Sequence, residues 1–241
     1  MSSDVATPNA AYQDMATDWE LIHDLLGGTR IMRQRGEKWL PREPGESREA
    51  YAIRLNRSVL FNGLQRTIQT LLGKPFHRPA SLTGTPPDAL AALADNVDLG
   101  GRNLTVFARD VMQAALTDGL THILVDHPRA GEAGKDTVRP YLVHIHAADL
   151  IGWRGQESGI GSALTRVRIR ETVNRTSGTW DDRAERQIRV LYPGRFEIWR
   201  RGGDGLGPWR RDDSGETSLD CIPLVTIYAN RAGFMTARPP L

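Results

Sequence analysis

Near Gly119 the apolar residues of this chain change their period. Before it they recur every three or four positions, the spacing of one helix face. After it they form short continuous runs or alternate, as strands do. A chain written in these two periods in succession folds as α+β, with N-terminal helices followed by a mainly antiparallel β-meander.

On the helical side, residues 1–11 are small and polar and are expected to be disordered. Tyr12, Met15, Trp19, Ile22 and Leu26 trace the stripe of a first helix that Gly27-Gly28 should stop. Gly36, Pro41, Pro44 and Gly45 predict an irregular connector from Thr29 to Gly45. From Ser47 to Leu72 the spacing predicts one long amphipathic helix, with Ser47 as its cap and Tyr51, Leu55, Val59, Leu64, Ile68 and Leu71 on its apolar face. Gly73 and Pro75 end it. Its other face holds Arg54, Arg57 and Arg66, which read either as a solvated face or as a surface for a polyanion or partner. Two further helices are predicted, Asp88–Asp95 and about Asn103–Leu116, so residues 12–119 form a mainly helical part.

Residues 120–241 form the β-rich part. Strands are predicted at Thr121–Asp126, Tyr141–His146, Val167–Val173, Ile188–Tyr192, Phe196–Arg200 and Ile222–Tyr228, with Pro193-Gly194 as a hairpin turn. Residues 127–138 and the glycine-rich Gly155–Gly161 are expected to be loops.

The charges nearly cancel, 31 basic against 29 acidic in 241 residues, which argues against a protein that coats polyanions by bulk charge. The single Cys221 excludes a disulfide framework and a thiolate zinc site. No apolar run is long enough for a membrane helix, and the N-terminus lacks a secretion-signal pattern, so a soluble, non-exported chain with no membrane partner is expected.

No phosphate loop, dinucleotide-binding turn or nucleophile elbow occurs, so no cofactor and no catalytic residue is assigned. His144 and His146 lie two apart on a predicted strand, where both imidazoles share a face; His122 and Asp126 on the preceding strand could complete a ligand set for a metal-dependent hydrolase. The competing reading is histidines on a half-buried sheet, since no further carboxylate stands at a diagnostic spacing. Arg166, Arg168 and Arg170 alternate along one strand face, either as a solvated edge or as the contact of a nucleic-acid-binding adaptor. Trp199 and Trp209, each followed by two arginines, flank a glycine-rich tip and suggest an exposed projection that contacts another protein.

The order of particular residues adds a resemblance. Trp19, Gly27-Gly28, Arg33, Trp39-Leu40-Pro41, Glu46-Ser47, Tyr51, Arg54-Leu55, Ser58, Asn62 and Gly73-Lys74-Pro75-Phe76 follow one another in a pattern. Asn96-Val97-Asp98-Leu99-Gly100, Phe107-Ala108, Gly119, Val125-Asp126-His127-Pro128, Ile222-Pro223-Leu224-Val225 and Arg238-Pro239-Pro240-Leu241 continue it. This series resembles the N-terminal, wing-containing half of the bacteriophage portal-like family. The resemblance implies a non-enzymatic subunit of a homo-oligomeric ring, usually a dodecamer, at a capsid vertex. Double-stranded DNA passes through such a ring during packaging and ejection, and terminase and the major capsid protein are its partners. It further implies assembly in the bacterial host cytoplasm, a place in the virion, and a wing-like α+β body that stops before the stem and clip.

Overall fold

A computed structural model describes residues 4–128, 139–158, 161–177, 181–202 and 205–240. Six α-helices precede the first strand: α1 (Ala10–Leu26), α2 (Gly28–Arg35), α3 (Arg48–Arg57), α4 (Gly63–Gly73), α5 (Asp88–Asp95) and α6 (Leu104–Asp118). Then follow β1 (Leu120–Asp126), β2 (Tyr141–Ile145), β3 (Leu150–Ser158), β4 (Gly161–Ser177), β5 (Asp181–Tyr192), β6 (Arg195–Arg201), β7 (Trp209–Glu216), β8 (Leu224–Tyr228), β9 (Arg231–Gly233) and β10 (Thr236–Ala237). The α+β class and the segregation of helix from sheet along the chain are as the two periods dictate.

Two larger antiparallel sheets and a short β9–β10 ladder make the described β part. β1 lies between β2 and β8 in a three-stranded sheet, and β3 to β7 form a five-stranded meander in chain order. One face of β1 presents Leu124, which with Ile145 and Ile222 packs on Leu150, Val167 and Ile169 of the meander. The other face presents Ile123, which with Leu142 and Ile227 meets Phe107 and Val111 of α6. The three-stranded sheet is therefore buried on both faces, which explains the near-continuous apolar run of β1. Tyr12, Met15 and Trp19 of α1 fill a third cluster with Leu120, Ile151, Ile188 and Val190.

Four local expectations change. The chain from Ser47 to Gly73 is two helices, because at Ser58–Asn62 other partners outbid the helical ladder. Ser58 leaves the helix with ψ 134, and its hydroxyl and amide both return to the Arg54 carbonyl. Arg33 takes the Ser58 carbonyl with Nε and Nη2 at 3.0 and 2.8 Å, Thr29 Oγ1 accepts the Leu60 amide, and Asn62 caps α4 through the Gln65 amide. Residues 29–35 of the connector expected to be irregular are helical, as part of α2, and the turn of the chain falls instead at Gly36, with φ 53.

Residues 4–11, expected to be disordered, are ordered; residues 1–3 lie outside the described residues. Asn9 caps α1 through the Tyr12 amide, its own amide donates to the Ile151 carbonyl, and Arg168 Nη1 donates to the Val5 carbonyl. Part of the Gly155–Gly161 segment is strand rather than loop, and 159–160, like most of the loop expected at 127–138, lies outside the described residues.

Gly119 ends α6 in the left-handed region at φ 84, and its carbonyl accepts the amides of Ala229 and Asn230. A Cβ there would stand on the Arg238 carbonyl oxygen. Gly119→Ala is expected to cost about 1–3 kcal/mol through backbone strain, plus what the collision adds. Urea unfolding with an unchanged midpoint would contradict this account.

Candidate functional site

Strand register decides the fate of the histidines. Ile123 stands opposite His144, and His122 stands opposite Ile145 and Thr226. Directly opposed residues share a face, so His144 points to the α6 side and His122 to the meander side. His144 and His146 do come together, with ring centroids 4.4 Å apart. His122 and Asp126 do not join them, which corrects the four-residue ligand set. Asp126 is instead 2.5 Å from Arg189 Nη1 and accepts the Tyr141 hydroxyl at 3.3 Å. No group of three His, Cys, Asp or Glu among the described residues is placed to hold a metal ion.

Each buried imidazole is absorbed by a threonine. The Thr121 hydroxyl spends its proton on the Ile145 carbonyl at 3.1 Å and meets His144 Nε2 at 2.8 Å, so that nitrogen donates. The Thr226 hydroxyl donates to Met235 Sδ and meets His122 Nδ1 at 2.9 Å in the same way. Burial, and then the charge of the neighbouring imidazole, push His122 down to about 3 and His144 to about 4. Both imidazoles are neutral, His122 buried and His144 half-buried, and each has one ring nitrogen hydrogen-bonded to a threonine.

A cleft of about 560 Å³ opens between the two sheets near the end of β1, with Leu124, Leu191, Phe196 and Ile198 on its walls and Cys221 at the rim. Arg189 spans it. Burial alone would lower its pKa, but Glu171, 2.9 Å from its Nε, and Asp126 outweigh that and raise it. The guanidinium is committed to two carboxylates and works as a tie between the sheets. Asp126-His127-Pro128 is a strand-ending turn: Asp126 Oδ1 accepts the His127 amide at 2.9 Å.

The arginine and tryptophan candidates are more enclosed than expected. Arg168 lies along the Gly152 backbone, bonds Val5, and keeps a buried Nε without a hydrogen-bond partner among the described residues; burial lowers its pKa. Arg166 and Arg170 are half-buried on the same face. Trp199 and Trp209, expected on an exposed projection, pack with Val5 against the α1 cluster. Trp199 Nε1 donates to Glu197, and the Arg201 guanidinium stands 5.2 Å from the Trp209 ring. The ordered N-terminal segment, invisible to hydrophobic patterning, covers what would have been an open face.

The exposed surface lies elsewhere, on the arm formed by α2, α3 and α4. Arg54 is not free: it binds Glu46 through Nε and Nη2, both at 2.8 Å, donates to the Pro41 carbonyl, and holds the Glu46 carboxyl at about 2. Arg57 and Arg66 are exposed and make no ion pair among the described residues. Around them Ile53, Val59 and Phe61 are 55%, 77% and 80% exposed, and α3 has no buried residue. The helical period had assigned Val59 inward; the break at Ser58 turns it out. Phe61 carried no periodic signal. No protein-family profile and no curated protein matches this chain.

The titration of the histidines separates core from surface. His23, hydrogen-bonded at 2.7 Å to Asp118, has its pKa raised by that bond, so its contribution to stability is present below about 6.5 and is lost as pH rises through the raised value. His122 and His144 act with the opposite sign: their contribution is present above about 6.5 and is lost as pH falls toward about 4 and 3. Imidazole NMR between those limits is expected to find His23 protonated while His122 and His144 stay neutral. A His144 midpoint near the ordinary value of 6.5 would refute the buried assignment.

Proposed function

We propose that this chain is a structural subunit, the wing-like body of a portal-type ring at a bacteriophage capsid vertex, and that it works through its surfaces rather than by catalysis. The observation that carries the reading is the arm. A ten-residue helix with no fully buried residue and with Ile53 in solvent, followed by exposed Val59 and Phe61, is a poor use of apolar surface in a monomer. It is what a subunit offers to a neighbour before assembly. The ordered series of residues that resembles the portal-like family runs through this same arm, and an α+β body suits a wing.

In this reading the protein assembles in the host cytoplasm, self-associates into a ring, carries double-stranded DNA through the channel, and meets terminase and the major capsid protein. These polar groups serve the fold: His144 and His122 are bonded to threonines and Asp126 to Arg189 between the sheets, and Glu46 is bonded to Arg54 on the arm.

Sedimentation and negative-stain electron microscopy of the full-length protein are expected to show assemblies above the monomer. Val59→Asp with Phe61→Asp is expected to weaken association about tenfold or more. The circular dichroism spectrum should be unchanged, because neither side chain is part of the core. Monomers at every concentration and salt condition would remove the proposal.

A further inference from the structure

The near-neutral total hides a sharp segregation of charge. Residues 28–78, which contain the arm, hold eleven Lys or Arg against four Glu, whereas residues 1–27 hold five Asp or Glu and no Lys or Arg. Part of this opposition is settled within the chain. Arg35 lies 2.8 Å from Asp24, and Lys38 lies 2.5 Å from Glu20. The remainder is not. On α1, Asp14 and Asp18 are exposed with no ion pair among the described residues. Leu21, 41% exposed, follows three residues after Asp18. At spacings of four and three these side chains form one stripe along the outside of the helix, opposite the buried Tyr12, Met15 and Trp19.

The two surfaces are complements. The arm combines exposed apolar side chains with unpaired arginines, and the α1 stripe combines an exposed leucine with unpaired carboxylates. On α3, Ala50, Ile53, Arg57 and Ser58 line a shallow concavity of the kind a protruding leucine fills. Resting on the assembly reading above, we infer that the basic arm of one copy docks on the acidic α1 stripe of a second copy, Ile53, Val59 and Phe61 against Leu21, and Arg57 and Arg66 against Asp14 and Asp18.

The contact joins two different patches of the same chain, so it runs head to tail and leaves a pair with one free stripe on the first copy and one free arm on the second. Such a contact propagates, into a ring where the rotation closes and into a filament where it does not. A polyanion would also satisfy the arginines, but phosphate offers nothing to Val59 and Phe61, whereas a second copy satisfies both kinds of group. The cations steer encounter and fix register, and the apolar side chains supply the buried area.

The test is a charge swap, read by sedimentation of the full-length protein at low salt. Asp14→Arg with Asp18→Arg, or Arg57→Asp with Arg66→Asp, is expected to weaken association about tenfold. Mixing the two variants, or joining all four changes in one chain, is expected to restore it, a recovery that lost folding cannot produce. Association that persists unchanged in both variants overturns the docking while leaving assembly intact. A wild-type protein that is monomeric throughout overturns assembly and the docking with it. If Arg57→Asp with Arg66→Asp leaves the mass unchanged and abolishes salt-sensitive retention of a duplex DNA probe, the arm is a polyanion surface and the second copy is excluded.

Discussion

The Arg33 guanidinium closing on the Ser58 carbonyl gives the helical half its shape. That carbonyl would otherwise accept from an amide one turn further on, and α3 would run into α4 as a single rod. With it taken, the chain turns, Asn62 donates to the Leu25 carbonyl, and α4 comes to lie beside α1 and α6. The neighbouring contacts are polar in the same way: Trp39 Nε1 donates to Asp24, the Tyr51 hydroxyl to the Leu40 carbonyl, and Arg54 to Glu46 and Pro41. Arg33, Trp39, Tyr51, Arg54, Ser58 and Asn62 thus fold the arm through polar contacts.

The β half is held by apolar layers, with polar links where layers meet. The three-stranded sheet is covered on both sides, so every polar group on it must find a partner inside the protein. Thr121 and Thr226 do this for His144 and His122. Arg189 does it across the gap between the sheets, where Asp126 and Glu171 come from different sheets and one guanidinium reaches both. Removing Arg189 would leave two partly buried carboxylates without their shared counter-charge, a larger loss than the net gain from the pairs.

Much of this was legible in the residues. The change of period gave the class; the start of α6 near Asn103, its stop at Gly119 and the turn at Pro193-Gly194 all follow from local chemistry. What was not legible depends on partners far along the chain. The break at Ser58 needs Arg33 and Thr29, which no window over 47–72 contains. The strand β7 is Trp-Arg-Arg-Asp-Asp-Ser-Gly-Glu, an edge strand with no apolar alternation, formed because β6 supplies its ladder. The histidine cluster failed as a ligand set for the simplest reason. A register of Ile123 opposite His144 puts His122 on the other face, and a slip by one residue would have reversed that. The enclosure of Trp199 and Trp209 required the placement of Val5 and Ala6, two small apolar residues too few to show a pattern of their own.

The arm joins these levels. A helix of ten residues is marginal in water without packing, and α3 has no buried face to stabilise it. It persists because polar side chains at Ser47, Glu46, Arg54 and Ser58 fix its ends and its approach to the connector. Stability drawn from the ends leaves the exposed sides unconstrained by the core. Ile53, Val59 and Phe61 are therefore free to be chosen for what they meet outside the chain, and the unpaired arginines around them are subject to the same freedom. Burying that surface against an acidic neighbour would add apolar packing to an element whose own is confined to Tyr51 and Leu55, both partly buried, so assembly and the folding of the arm would reinforce each other.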